Sequence, residues 1–132
     1  MFEVAEELSV GIEDKPGSLS AVLAVVAKAG CVVRTFCGYS MAGAGNVMLV
    51  ADDAKKAKAA LKKAGYKEIE STKVVLGTTK DKKGQGAAIT ELAREKGINL
   101  EYAYATGTGK GTGVIVLAAG DQTAKLAKAL NG

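Results

Sequence analysis

Asp14-Lys15-Pro16-Gly17-Ser18-Leu19 decides how this chain is read, because Asp81-Lys82-Lys83-Gly84-Gln85-Gly86 opens a second apolar segment 67 positions later (81 − 14). The register holds outward from both stretches: Ala21 pairs with Ala88, Gly30 with Gly97, Val47 with Val114, Ala57 with Ala124 and Gly65 with Gly132. A fixed offset that persists over most of a repeat marks a tandem duplication. The expected modules are residues 1–72 and 73–132.

Upstream of the first motif, Leu8-Ser9-Val10-Gly11-Ile12 alternates apolar and small residues, as a strand does, and Pro16-Gly17 turns it. Leu19, Val22, Leu23, Val26 and Ala27 then fall on one helical face, with Gly30 placed to end the helix in the left-handed conformation. Residues 31–39 are β-branched and aromatic, 41–46 form a turn and 47–51 are apolar, which predicts a hairpin. Asp52 or Asp53 caps a second helix with an Ala54, Ala57, Leu61, Ala64 stripe, ended by Gly65, and residues 66–72 close the module as a strand. The order is βαββαβ, an α+β ferredoxin-like module.

The second copy restarts as a strand at 73–76 and forms a helix carrying Ala88, Ile89, Leu92 and Ala93. A hairpin follows (98–105 and 114–119 around a Gly-rich turn), then a last helix capped by Asp121. It has no residues left for its own closing strand. That sheet edge must be met by the partner module, the N-terminal segment or another subunit, since a bare edge invites pairing.

Composition narrows the function. The 132 residues are 48% hydrophobic, mostly Ala, Val and Leu, with no His and no Trp. Zinc, haem and other cofactors are therefore not expected. Cys31 and Cys37 read as buried free thiols of a cytoplasmic protein. The opening Met1-Phe2-Glu3-Val4-Ala5-Glu6-Glu7 is acidic where an export signal needs positive charge, and no apolar run is long enough to span a membrane, so no membrane partner is expected.

The net charge of +4 comes from scattered lysines, a solvated helix face and not a nucleic-acid footprint. RNA recognition on a ferredoxin-like sheet needs stacking aromatics, and neither 47–51 nor 114–119 contains one. Gly107-Thr108-Gly109-Lys110-Gly111-Thr112-Gly113 fails as a phosphate loop because Gly111 follows the lysine and a strand follows the run; it reads as a flexible hairpin tip, free to act as a flap. Catalysis is not expected: the adjacent carboxylates Glu13-Asp14 and Asp52-Asp53 flank a turn and cap a helix. The competing enzyme reading is a lyase or isomerase using Lys15 or Lys82.

The strand-loop-helix at residues 14–19 is the strongest site signal. Amides of Gly17, Ser18 and Leu19 begin a helix, so they are unpaired donors at its positive end and suit a carboxylate. Gly17 admits a ligand close to the backbone and Pro16 fixes the entry angle. Any helix start has such donors, so an ordinary turn is the competing reading.

Asp14-Lys15-Pro16-Gly17-Ser18-Leu19 after a short strand, the helix ending in Ala29-Gly30, and the extended Cys31-Val32-Val33 resemble the signature of the ACT domain, a small-molecule-binding regulatory module of amino-acid metabolism. Lys96-Gly97-Ile98-Asn99-Leu100-Glu101-Tyr102-Ala103-Tyr104 is similar to the second half of stand-alone tandem ACT proteins, so the resemblance covers nearly the whole chain. It implies two βαββαβ modules in tandem, the second without its last strand, and a free amino acid held by the strand-loop-helix backbone at a module or subunit interface. The chain would then be a regulatory homodimer acting on a partner enzyme or regulator.

The implied site is Glu13, Asp14, Lys15, Pro16, Gly17, Ser18 and Leu19. Lys82, Lys83, Gly84 and Gln85 form a second or degenerate one, because Lys83 replaces the Pro and Gly86 the Leu. Tyr102 and Tyr104 alternate with Ala and are candidates to line an apolar pocket; packing at a sheet or subunit interface is the alternative. An oligomerisation module without a ligand is the competing function.

Overall fold

The computed structural model describes all residues, 1–132. Strand β1 (Phe2–Glu13) leads to helix α1 (Ser18–Lys28), the hairpin of β2 (Val33–Met41) and β3 (Ala44–Ala51), helix α2 (Ala54–Lys63) and strand β4 (Ile69–Lys80). Helix α3 (Gln85–Glu95), the hairpin of β5 (Tyr102–Thr106) and β6 (Thr112–Ala118), a 3-10 turn (Gly120–Gln122) and helix α4 (Thr123–Leu130) follow. The strands hydrogen-bond in the order β2-β3-β1-β4-β6-β5. The chain divides into two compact units, Glu6–Thr72 and Lys73–Gly132 together with Met1–Ala5.

The Glu6–Thr72 unit is a βαββαβ module. β1 pairs antiparallel with β3, setting Leu8 opposite Leu49 and Val10 opposite Val47. Because side chains alternate along a strand, these four point to one face, where they meet Val22 and Val26 of α1 and Ala57 and Leu61 of α2. The β2-β3 turn is only Ala42-Gly43, both at positive φ (53° and 82°), shorter than the expected turn at 41–46. A two-residue turn of this hand matches strand twist, so pairing continues to Met41 and Ala44.

In the other unit, Val75, Ile115 and Leu117 pack on Ile89 and Ala93 of α3 and Leu126 of α4, with Phe2 against the cluster. The repeat register is visible in the backbone. Gly17 and Gly84 both precede a helix at positive φ (89° and 79°), and each accepts a hydrogen bond of 2.9 Å from the amide four residues on, Ala21 or Ala88. Gly30 and Gly97 end those helices, again at positive φ (84° and 67°), with Cys31 N donating to Val26 O and Ile98 N to Ala93 O.

The missing closing strand of the second copy is supplied by the N-terminal segment. Thr78 N donates to Met1 O at 3.1 Å, and Met1–Ala5 belongs to this unit, so the opening five residues fall with 73–132 and not with the first copy. β1 is long enough to serve both units. The strands expected at 66–72 and 73–76 are one continuous β4, because Thr72-Lys73 offers neither Gly nor Pro to break it.

Two local expectations need correction. Asp53 caps α2, accepting from Lys56 N at 3.0 Å, while Asp52 accepts from Val32 N at 2.9 Å; but Asp121 caps nothing, since it lies inside the 3-10 turn and α4 begins beyond it without a side-chain cap. Cys31 is buried and Cys37 is half-buried on the edge strand β2, both as free thiols. No helix is long and apolar enough to cross a membrane.

Candidate functional site

Strand β1 delivers Glu13 to the start of a four-residue loop, and Gly17 turns the chain into α1. The N-terminus of α1 has no side-chain cap, unlike that of α2. Ser18 N donates to Lys15 O at 3.3 Å, closing the turn, so Ser18 is not the free donor expected for it; the amides of Gly17, Leu19 and Ser20 find no backbone acceptor. These amides lie at the positive end of the α1 dipole.

Two cavities flank this loop. One of about 350 Å³ is lined by Ile12, Glu13, Lys15, Pro16, Gly17, Ser18, Ala21 and Tyr66. The other, about 180 Å³, is lined by Ile12, Glu13, Asp14, Lys15, Ser18 and Leu19 together with Gly38, Tyr39, Ser40 and Gly45 of the hairpin. All seven expected residues of the first loop therefore line one cavity or the other. Two glycines let the hairpin come this close. A Cβ on Gly45 would stand 3.0 Å from Ile12 O, and one on Gly38 would stand 3.3 Å from the Leu19 side chain.

The loop carries two carboxylates, Glu13 and Asp14, and one ammonium, Lys15. Lys15 Nζ and Glu13 Oε2 are 2.8 Å apart and solvent-exposed. The hydrogen bond from Lys15, and then its charge, holds the Glu13 carboxyl below its ordinary range, and Glu13 in the same way raises the Lys15 ammonium. Both are ionised at neutral pH, so the loop offers a carboxylate and an ammonium side by side. No three His, Cys, Asp or Glu side chains converge as a metal site would require.

The aromatic walls are Tyr66 and Tyr39. Tyr66 was expected in a strand; it lies instead in the link between α2 and β4, its amide bonded to Leu61 O at 3.1 Å in the turn that Gly65 makes. Tyr39 faces Asn46 across the hairpin and its hydroxyl accepts from Asn46 Nδ2 at 3.3 Å. The signal for Tyr66 was its place directly after a helix-ending glycine, which brings a side chain back toward the helix it follows.

The remaining expected residues lie in the other unit. Tyr102 and Tyr104 stand on β5 opposite Ala118 and Val116 and line neither cavity. The second loop repeats the first in backbone: Gln85 N donates to Lys82 O at 3.3 Å, and Gly84 precedes an α3 that also lacks a side-chain cap. Lys83 stands in the place of Pro16. Asp81, in the place of Asp14, is engaged by the β5-β6 tip.

The family model for an ACT domain pair matches residues 3–130. Among solved structures, a protein of Bacteroides thetaiotaomicron is 25% identical with a TM-score of 0.83, over 98% of this chain and 88% of that one. The regulatory subunit of aspartate kinase from Thermus thermophilus, in its ligand-free form, has the same fold at 16% identity, with a TM-score of 0.68 over 99% of this chain and 93% of that one. Aspartokinase alpha and beta subunits share it at 18% identity and a TM-score of 0.70, over 98% of this chain and 94% of that one. No curated protein matches the chain. With its duplicated βαββαβ pattern, its glycine-headed helices and a model match over nearly its whole length, the chain belongs to the ACT domain pair family.

Proposed function

We propose that this protein is a non-enzymatic regulator that binds a free amino acid, or a closely related small carboxylate, at the strand-loop-helix of residues 13–19. The observation that carries this reading is the uncapped start of α1 beside the Glu13-Lys15 pair, at a cavity of about 350 Å³ walled by Tyr66. A volume of this size is in the range of small-molecule sites. An amino-acid zwitterion suits this lining: its carboxylate meets the unpaired amide of Gly17 and the Lys15 ammonium, and its ammonium meets Glu13. The regulatory subunits of aspartate kinase among its structural neighbours accord with a regulatory role.

In this reading the protein is a cytoplasmic homodimer, and ligand binding shifts a packing equilibrium that a partner enzyme or regulator senses. The test is thermal unfolding against each standard free amino acid. A ligand at about 100 times its dissociation constant adds roughly 2.7 kcal/mol of stability. A selective rise that is lost in Glu13→Gln and Lys15→Met supports the site; a rise unaffected by either substitution places the ligand elsewhere.

A ligand-free assembly module is the second reading, favoured by one observation. Edge strand β2 and the residue before it expose Val32 (63%), Phe36 (48%) and Met41 (71%), an apolar rim on an unpaired edge that suits another copy of the chain. A flat amino-acid panel together with a dimer broken by Phe36→Lys selects it.

A further inference from the structure

Asp81 follows β4, and its carboxylate engages the tip of the β5-β6 hairpin. Its Oδ2 accepts from the amides of Thr108 at 2.8 Å and Gly109 at 2.7 Å and from the Thr108 hydroxyl at 3.3 Å. Its own amide donates to Gly111 O at 2.7 Å. Successive backbone amides converging on one oxygen make an anion nest, and Gly109 at φ 83° supplies the left-handed residue it needs.

The neighbouring glycines serve the same carboxylate. A Cβ on Gly107 would overlap Asp81 Oδ1, and a Cβ on Gly113 would meet first Thr106 O of the same hairpin at 2.6 Å and then Asp81 Oδ1 at 2.8 Å. The Gly-rich run is therefore a seat shaped around a carboxylate, and the tip is held where the sequence suggested a free one. The first unit has no counterpart, because its β2-β3 turn is only two residues long and Asp14 lines the smaller cavity instead.

We infer that the tip at residues 107–113 is a carboxylate-binding site, latched by the chain's own Asp81, which takes up a free small carboxylate when Asp81 is withdrawn. Three donors on one oxygen, two of them backbone amides of adjacent residues, recognise a carboxylate regardless of the chain that carries it. Lys110 within the tip, and Lys80 and Lys82 beside Asp81, add positive charge that favours any anion there. A tethered carboxylate acts at an effective concentration of about millimolar or more. Dilute free carboxylate therefore leaves the latch closed in the wild-type protein.

The experiment is amide hydrogen exchange of the full-length protein by NMR, in wild type and in Asp81→Ala, with formate titrated against chloride at constant ionic strength. Removing hydrogen bonds to a charged group should lower protection at Thr108 and Gly109 by about tenfold or more, with Val116 and Leu117 unchanged as the control for folding. Formate should then restore protection and shift the Thr108 and Gly109 resonances saturably, while chloride does not. Asp81→Asn, which fills the seat without charge, should lose part of the protection and ignore formate. If Asp81→Ala does not fold, Asp81→Ser carries the same titration. Wild-type amides as unprotected as the variant's, or equal responses to formate and chloride, overturn the proposal.

Discussion

Asn131 holds Phe2 by both of its backbone groups. Phe2 N donates to Asn131 Oδ1 at 2.9 Å, and Asn131 Nδ2 donates to Phe2 O at 2.8 Å, the paired exchange that one strand residue makes with another. A carboxamide near the end of the chain thus ties down the first strand, across 129 residues of sequence. Asn131→Ala removes both bonds and should lower the stability of this unit by about 1 kcal/mol. Asn131→Asp, which keeps an acceptor but loses the donor facing Phe2 O, should be no better. Chemical denaturation with amide exchange at Thr78 measures both.

Phe2 and Gly77 should be coupled. The Phe2 ring occupies the space where a Cβ on Gly77 would lie, so Gly77→Ala expels the ring from the core it packs against. Phe2→Ala alone should cost about 1–3 kcal/mol. The double variant should cost less than the sum of the singles, because the clash needs both partners. An additive double-mutant cycle would refute the packing.

Gly17 is a purely conformational requirement. At φ 89° it is left-handed, yet nothing lies within 4 Å of the position of a Cβ. Gly17→Val should therefore destabilise by about 1–2 kcal/mol through backbone strain alone, with Gly17→Asn milder because asparagine tolerates this conformation. Both variants should weaken any amino-acid response, and the order of their melting temperatures checks the strain argument.

Asp53 and Asp121 should separate cleanly. Asp53→Ala removes the cap of α2 and should cost about 1 kcal/mol. Asp121→Ala removes no cap and should leave the unfolding midpoint unchanged. Urea titrations of the two variants decide it.

The Asp81 latch should loosen in acid. The Gly109 amide, the largest influence, acts with the amides of Thr108 and Gly111 and the Thr108 hydroxyl to hold its carboxyl below the ordinary carboxylate range, while desolvation, second in size, opposes them. A depressed folded value means that the unfolded chain binds the proton first as pH falls. The contribution is complete above the ordinary carboxylate range and is lost as pH drops through the folded value. Protection factors at Thr108 and Gly109, taken against the intrinsic rate at each pH, should fall over that acid window in wild type and show no such step in Asp81→Asn.

What the sequence alone determined about this protein is most of what depends on neighbours along the chain, though not the cap of α4 or the length of the β2-β3 turn. The helices follow from period and from glycines that must be left-handed, such as Gly17, Gly30 and Gly84, and the 67-residue offset (81 − 14) carries one module onto the next. The candidate loop was legible for the same reason: a strand, Pro16-Gly17 and an apolar helix place its amides without reference to anything distant. The tertiary structure alone decided the strand that closes the second unit, the use of Tyr66 and Tyr39 as cavity walls, and the seat that Gly107 and Gly113 leave for Asp81. Each of these joins residues far apart in sequence whose composition is ordinary by itself. Periodicity reports which face of an element is buried, but not which distant segment buries it, and a glycine needed for close approach reads in sequence the same as one needed for a turn.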